Sequence, residues 1–330
     1  MTYRHLFMCD FVALTLSQVK VFCGNHWMFS RQGSLMPEIT KRHDPDESDP
    51  FILRFPGLPD LPIHLHSRKD IWISDFIRNG SIFEPQIIAL IRSLVCAGDI
   101  VLDIGANIGY TALILAECVG KNGIVHAFEP EPENYTLLER NARQFGQNRI
   151  ITHPVAAGEN DGIAKLSLSP DNLGDHRIEQ NAAGRNVLDI QVCRLDRYPP
   201  VRGLKINFVK IDTQGSETDV LAGLYGSLHD ARIVLEYWPY GLERCGSSLS
   251  ELMTILDTQS RRYWLVEHWQ ACTELSVEQV LEVGRERMTP QSQMHGDLVC
   301  LSAADTEGIQ IMETLSSNWI DHVRRLAGSD

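Results

Sequence analysis

The stretch Val101-Leu102-Asp103-Ile104-Gly105-Ala106-Asn107-Ile108-Gly109 constrains this chain more than any other. It begins with a short apolar run, Ile100–Ile104, which reads as a strand buried on both faces. The run enters a turn with glycine at both ends. An apolar helical pattern, Tyr110–Val119, follows and stops at Gly120, a residue type favoured just past a helix end. Strand, tight turn and helix together open an α/β unit. Gly105 suits a position that tolerates positive φ and lets a ligand approach the backbone. Gly109 permits close packing where the helix starts. That helix start offers unpaired N–H groups and the positive end of a dipole to an anion. The spacing excludes a dinucleotide. A G-x-G-x-x-G fingerprint beginning at Gly105 needs glycine at positions 107 and 110, which hold Asn107 and Tyr110.

The rest of the chain repeats the alternation. Apolar runs recur at Ile124–Phe128, Phe208–Ile211, Ile233–Leu235, Tyr263–Val266 and Leu298–Leu301. Helical patterns separate most of them. One begins at Pro85 and is expected to stop at Gly98, and another spans Pro132–Phe145. Ser248-x-x-Glu251 and Ser276-x-x-Gln279 read as capping boxes opening two more. The pattern predicts an α/β doubly wound, mostly parallel sheet with helices on both faces. One interval breaks the rhythm. Ala164–Ser169 and Val187–Leu195 read as antiparallel strands around a polar loop. This antiparallel insertion, about 159–205, precedes the fourth strand, and insertions at strand carboxyl ends tend to build substrate sites. The expected organisation is an extension and linker over 1–50, a strand and helix region over 51–98, a main domain over 99–303 and a C-terminal helix over 304–330.

Two further motifs sit where ligands bind in such sheets. The second strand ends at Ala127-Phe128-Glu129-Pro130. An acidic residue about 20 positions beyond the glycine turn can accept both hydroxyls of a ribose. The fourth strand ends at Phe208-Val209-Lys210-Ile211-Asp212-Thr213-Gln214-Gly215-Ser216-Glu217. Strand alternation places Lys210 and Asp212 on one side. Asp212 is thus expected beside the reacting atoms, and Glu217 either joins it or pairs with the dipole of the helix it opens. Asp103-x-Gly105-x-x-x-Gly109 after an apolar strand is typical of S-adenosylmethionine sites.

At these residues the chain resembles the FkbM-type S-adenosylmethionine-dependent methyltransferase family. The carriers are Asp103–Gly109, Ala127–Pro130 and Lys210–Glu217, with Phe83-Glu84 upstream and Val220–Gly223 and Ile233–Glu236 downstream. The likeness runs from about Ile71 to Glu267. It implies a Rossmann-like class I methyltransferase fold with a seven-stranded sheet, S-adenosyl-L-methionine as methyl donor, and O-methylation of a sugar, glycan or natural-product hydroxyl. The cofactor is then expected on Glu84, Asp103, Gly105, Asn107, Gly109 and Thr111 from the first half of the site. Glu129, Pro130, Ala156 and Asp212 complete it. Where many members carry Asp-Val-Glu-Gly, this chain has Asp212-Thr213-Gln214-Gly215, which removes one carboxylate.

The catalytic residues expected are Asp212, His176 and Lys210. His176 belongs to Asp171-Asn172-Leu173-Gly174-Asp175-His176-Arg177 in the insertion. A neutral sugar hydroxyl is a poor nucleophile, and an imidazole has the intrinsic pKa of a general base. Tyr237-Trp238-Pro239-Tyr240 offers rings that stack on a sugar or pack in the core. The alternatives are a non-catalytic S-adenosylmethionine-binding protein and a methyltransferase with a different acceptor class, such as nucleic acid or protein.

Composition closes off other classes. With a net charge of −13 and 22% charged residues, the surface does not attract a phosphate backbone as a whole, and no Asn/Asp-Pro-Pro-aromatic loop follows the fourth strand. Nucleic acid is therefore not the expected partner. None of the eight cysteines forms a CxxC pair, and those in apolar runs, such as Cys96 and Cys300, read as buried hydrophobes. His64 and His66 alternate on one strand face and read as surface imidazoles. Asp175, His176, Asp212, Glu217 and Glu236 include metal-ligand types, but their spacing requires no metal and none is expected. Leu6–Phe22 is broken by polar residues, so neither a membrane span nor a signal peptide is expected, and the chain reads as cytoplasmic.

Overall fold

The structure is a computed structural model that describes residues 20–23, 26–29, 49–66, 70, 72–170, 172–179, 185–258, 260–267, 271–287 and 296–326. The chain divides into two units, 1–43 and 44–330. In the first, β1 (Lys20–Cys23) pairs antiparallel with β2 (His26–Phe29). Most of the expected extension, and Asp171 of the insertion motif, lie outside the described residues.

The second unit opens with an antiparallel pair, β3 (Phe51–Leu53) and β4 (Leu61–Ile63). Helices α1 (Ile73–Arg78) and α2 (Pro85–Leu94) follow. Then come β5 (Ile100–Ile104), α3 (Tyr110–Val119), β6 (Ile124–Phe128), α4 (Pro132–Phe145) and β7 (Ile150–His153). The insertion is a separate three-stranded sheet. Its strands are β8 (Ala156–Ala157), β9 (Gly162–Leu168) and β10 (Asn186–Cys193). The main sheet resumes with β11 (Phe208–Ile211), α5 (Glu217–Leu224), β12 (Arg232–Tyr237), α6 (Pro239–Arg244) and α7 (Leu249–Asp257). It finishes with β13 (Arg261–Glu267), β14 (Ala271–Leu275), α8 (Val277–Glu286), β15 (Gly296–Ser302) and α9 (Thr306–Leu326).

The sheet order is β14-β13-β15-β12-β11-β5-β6-β7. From β7 to β12 the strands are parallel, and β15 is antiparallel to both β12 and β13. This is a Rossmann-like α/β sheet with one strand more than the expected seven. The addition is β14, which hairpins back onto β13. The order reverses on either side of β5, which places a crevice at the carboxyl ends of β5 and β11.

Alternation along the strands feeds two cores. Val101, Val125, Phe208 and Val299 pack with α2, α3 and α9. Leu102, Val209, Ile211, Ile233 and Leu298 pack with α5, α7 and α8. Asp103 and Lys210 share the first face and are register partners across β5 and β11. Two polar residues thus interrupt an apolar face side by side, at the end where the crevice lies.

Several expectations need correction. His64 and His66 are buried, not surface residues. The strand ends at Ile63, and α4 covers both rings, with His64 Nε2 at 2.7 Å from Gln144 Oε1 and His66 Nε2 at 2.7 Å from Asn134 Oδ1. Cys96 is exposed, because α2 ends at Leu94 and the chain turns out through Val95 before Gly98, whereas Cys300 is buried. The Ser276 box is complete, but the Ser248 side chain caps Glu251 N–H without a reciprocal bond to its own backbone. Among the described residues, no helix is long and apolar enough to cross a membrane.

Candidate active site

The glycine turn is built by three consecutive demands on the backbone. Gly105, Asn107 and Gly109 hold φ of 79°, 49° and 91°. Gly105 and Ala106 donate their N–H groups to the Phe128 carbonyl, at 3.0 and 2.9 Å, and this ties the turn to the end of β6. A Cβ on Gly105 would stand 1.8 Å from the Asp212 carbonyl oxygen. The turn therefore packs directly on the end of β11. Helix α3 starts at Gly109 with no side-chain cap, so its end is open to an anion.

Glu129 closes the other side. Its Oε2 accepts the Asn107 N–H at 2.9 Å, and its Oε1 accepts the Glu131 N–H at 2.9 Å. Burial pushes its pKa up to about 7, against the pull of those two bonds. Pro130 follows it into α4, where Pro132 occupies the first turn.

At the carboxyl ends of the central strands, acids crowd around one ammonium. Lys210 Nζ lies 3.3 Å from Asp212 Oδ2 and 3.7 Å from Asp103 Oδ1. Burial alone would discharge it, but Asp212, Asp103 and Glu84 outweigh burial and hold its pKa above the usual lysine range. Lys210 is thus a fixed cation. Thr111 Oγ1 donates to Asp103 Oδ2 at 2.7 Å. Glu84, at φ 44° before α2, is raised to about 7 by burial first and by the charge of Asp212 second. Glu236 and Asp297 are raised well above the carboxylate range, again mainly by burial. Gln214, at φ 54°, donates from Nε2 to Asp212 Oδ1 at 2.8 Å and to Glu236 Oε1 at 3.3 Å. Glu217 turns back on its own turn, where Oε1 accepts from the Thr213 and Gly215 N–H groups at 3.0 and 3.2 Å.

The insertion loop is tied both to the glycine turn and to the residues after β12. The Leu173 carbonyl accepts from Asn107 Nδ2 at 3.1 Å and from Asn134 Nδ2 at 2.9 Å. Farther along, the Arg177 guanidinium lies 4.5 Å above the Trp238 ring, and Asp175 bonds both Arg177 and Arg185. Arg244 reaches Glu179 at 2.6 Å. His176 is placed differently from a general base. Its Nδ1 accepts the Ser169 N–H at 3.0 Å, so the neutral ring carries its proton on Nε2 and has no lone pair to offer. Burial also lowers its pKa.

The structure thus gathers Glu84, Asp103, Thr111, Lys210 and Asp212 into one cluster, with Gly105, Asn107, Gly109 and Glu129 beside it. Ala156 stands apart, its methyl packed in the insertion's small core with Leu166 and Ile190. Sequence reasoning missed Asp297 and Asn134. An acid at the head of the otherwise apolar β15 was the available signal for Asp297. Nothing in the sequence singled out Asn134. Among the described residues, no three His, Cys, Asp or Glu side chains are gathered as a metal would require.

Residues 103–263 match the family model described as Methyltransferase FkbM domain. Hexuronic acid methyltransferase AglP of Haloferax volcanii is 26% identical over 176 residues, covering 52% of this chain and 67% of that one. The 31-O-demethyl-FK506 methyltransferase FkbM of Streptomyces tacrolimicus is 28% identical over 158 residues, covering 38% of this chain but only 60% of its own length. A solved methyltransferase FkbM from Methylobacillus flagellatus KT is 18% identical, covering 72% of this chain and 62% of that one, with a TM-score of 0.39.

Proposed function

Through residues 103–263 the chain belongs to the FkbM methyltransferase family, and from that premise we propose that it O-methylates a hydroxyl on a sugar, glycan or natural-product acceptor, using S-adenosylmethionine. The single observation that carries this reading is the contact of Gly105 with the Asp212 carbonyl. A ligand cradled by the glycine turn then reacts beside Asp212.

The residues present fit the donor. The Gly105 hollow is one that a Cβ would fill. The uncapped start of α3 suits a carboxylate. The acids around Lys210 suit an ammonium and a sulfonium. Glu129 lies where ribose hydroxyls would bind, held in place by the Asn107 and Glu131 amides. When bound, the donor supplies an electrophilic methyl group for in-line transfer to an acceptor oxygen, leaving a neutral thioether.

The chain's own residues do the rest. Asp212 is a partly exposed member of the acid cluster, with 27% of its side chain open. In this reading it accepts the proton of the acceptor hydroxyl as the new C–O bond forms. Lys210 holds that carboxylate and Asp103 in place. The insertion loop and Trp238 flank the acceptor and orient it. The names of the hexuronic acid and 31-O-demethyl-FK506 methyltransferases support a hydroxylated acceptor.

The test begins with calorimetric titration of S-adenosylmethionine, S-adenosylhomocysteine and NADH. A panel of p-nitrophenyl glycosides is then scanned by mass spectrometry for methyl addition. Binding of the first two ligands and methylation of a glycoside supports the reading. Binding of NADH alone would overturn it.

A further inference from the structure

We propose that Gln214 is a positioning residue whose carboxamide fixes the Asp212 carboxylate against the acceptor hydroxyl, an inference that rests on the role given to Asp212 above. Three observations carry it.

The first is the bonding. Gln214 Nε2 reaches Asp212 Oδ1 at 2.8 Å and Glu236 Oε1 at 3.3 Å. Lys210 takes the other Asp212 oxygen at 3.3 Å. Asp212 is thereby held from both sides, with two oxygens and two fixed donors.

The second is the backbone. Gln214 holds a left-handed φ of 54°, a region that non-glycine residues rarely adopt. Such conformations persist where the surroundings over-determine them, and they cluster at functional sites. Here the surroundings do so. The N–H groups of Thr213 and Gly215, on either side of Gln214, both go to Glu217 Oε1. The Cys245 thiol donates to the Gln214 carbonyl at 3.6 Å. A Cβ on Gly215 would meet the Gly241 carbonyl oxygen at 2.6 Å, so α6 closes the turn from behind. The strained turn aims this one carboxamide at the acids.

The third is charge. An amide nitrogen carries two protons and can donate to two acids without adding a negative charge. A glutamate here would set a third carboxyl between Asp212 and Glu236, and like charges at that range disfavour ionisation of their neighbours. The neutral side chain keeps Asp212 available as the acceptor of the hydroxyl proton.

The experiment compares wild type with Gln214→Asn and Gln214→Glu. Each is assayed on the p-nitrophenyl glycoside that the wild-type chain methylates. Asparagine tolerates the left-handed backbone but is too short to span both acids. It should lower kcat by about tenfold to a hundredfold, with glycoside KM and S-adenosylhomocysteine affinity held within about twofold. Gln214→Glu should displace the acid limb of the pH–rate profile to higher pH, while the Asn variant leaves that limb in place. Unchanged kcat and an unchanged profile in both variants would overturn the proposal. So would a fall in thermal midpoint and S-adenosylhomocysteine affinity that accounts for the whole loss, because the residue would then serve only the fold. A wild-type chain that binds no S-adenosylhomocysteine refutes the methyltransferase reading itself, and is told apart by that titration.

Discussion

Gly105 lies against the carbonyl of Asp212 so closely that a single added carbon would stand 1.8 Å from that oxygen. The Asp212 N–H in turn donates to the Ile104 carbonyl at 3.0 Å. The glycine turn and the end of β11 are thus one packed unit. Gly105→Ala cannot be absorbed by a side-chain shift, because the obstacle is backbone and φ is positive. It should cost more than about 2 kcal/mol of stability and abolish S-adenosylmethionine binding. Urea unfolding and calorimetry check both halves. Retained affinity would show that the cofactor lies elsewhere.

Lys210 is the counter-charge of two acids, and its side chain and that of Asp103 are 5% and 0% exposed. Replacing it with methionine keeps the length and apolar stem but strands Asp103. Removing one partner of a buried pair costs about 3 kcal/mol or more. Lys210→Met should show that loss in urea unfolding at pH 7, together with a fall in methyl transfer. A stability unchanged from wild type would mean that Asp103 is already neutral without its partner.

The motif residues were legible because their geometry is local. A strand, two glycines and a helix start can adopt few arrangements, so Gly105, Asn107 and Gly109 could be placed from sequence. Asp212 followed from its place at the end of an apolar run. Contacts made across the fold were not legible. Alternation put His64 and His66 on one face but could not say that α4 covers that face. The intrinsic pKa of His176 suggested a base, yet its role depends on which atom meets Ser169, a bond made within the insertion loop as it folds. The Leu173 carbonyl, which joins Asn107 to Asn134, has no side-chain chemistry to read at all.

The edge of the sheet holds a pH-dependent element. His126 Nδ1 lies 3.0 Å from His153 Nε2, and the His153 ring stacks 4.4 Å from Phe128. Burial first, and His126 second, lower the His153 pKa to about 4. The unfolded chain, with an ordinary histidine near 6.5, takes up the proton before the folded one. This contribution is complete above about pH 6.5 and is lost as pH falls towards 4, at up to ~1.4 kcal/mol per pH unit. Glu129 and Glu84 act oppositely between their ordinary value and about 7, so the difference between two proteins is the useful quantity. Urea midpoints at pH 7.5 and pH 5 should fall less in His153→Phe, which keeps the stack, than in wild type. Equal falls would assign the acid sensitivity to other groups.

Asn134 gives the last prediction, because its three polar groups serve three different segments. Its N–H donates to the Glu131 carboxylate that caps α4, its Oδ1 meets His66 Nε2 at 2.7 Å, and its Nδ2 holds the Leu173 carbonyl at 2.9 Å. Asn134→Ala removes the two side-chain bonds and leaves a buried imidazole and carbonyl without them, at a cost of about 1–3 kcal/mol. Asn134→Asp keeps an acceptor for His66 but turns an oxygen on Leu173. The aspartate variant should therefore hold its thermal midpoint better than the alanine variant. Both should be cut faster by protease within residues 172–179, since the Leu173 carbonyl has lost one of its two donors. Protection equal to wild type in the aspartate variant would show that the Asn134 bond is not needed to hold the loop.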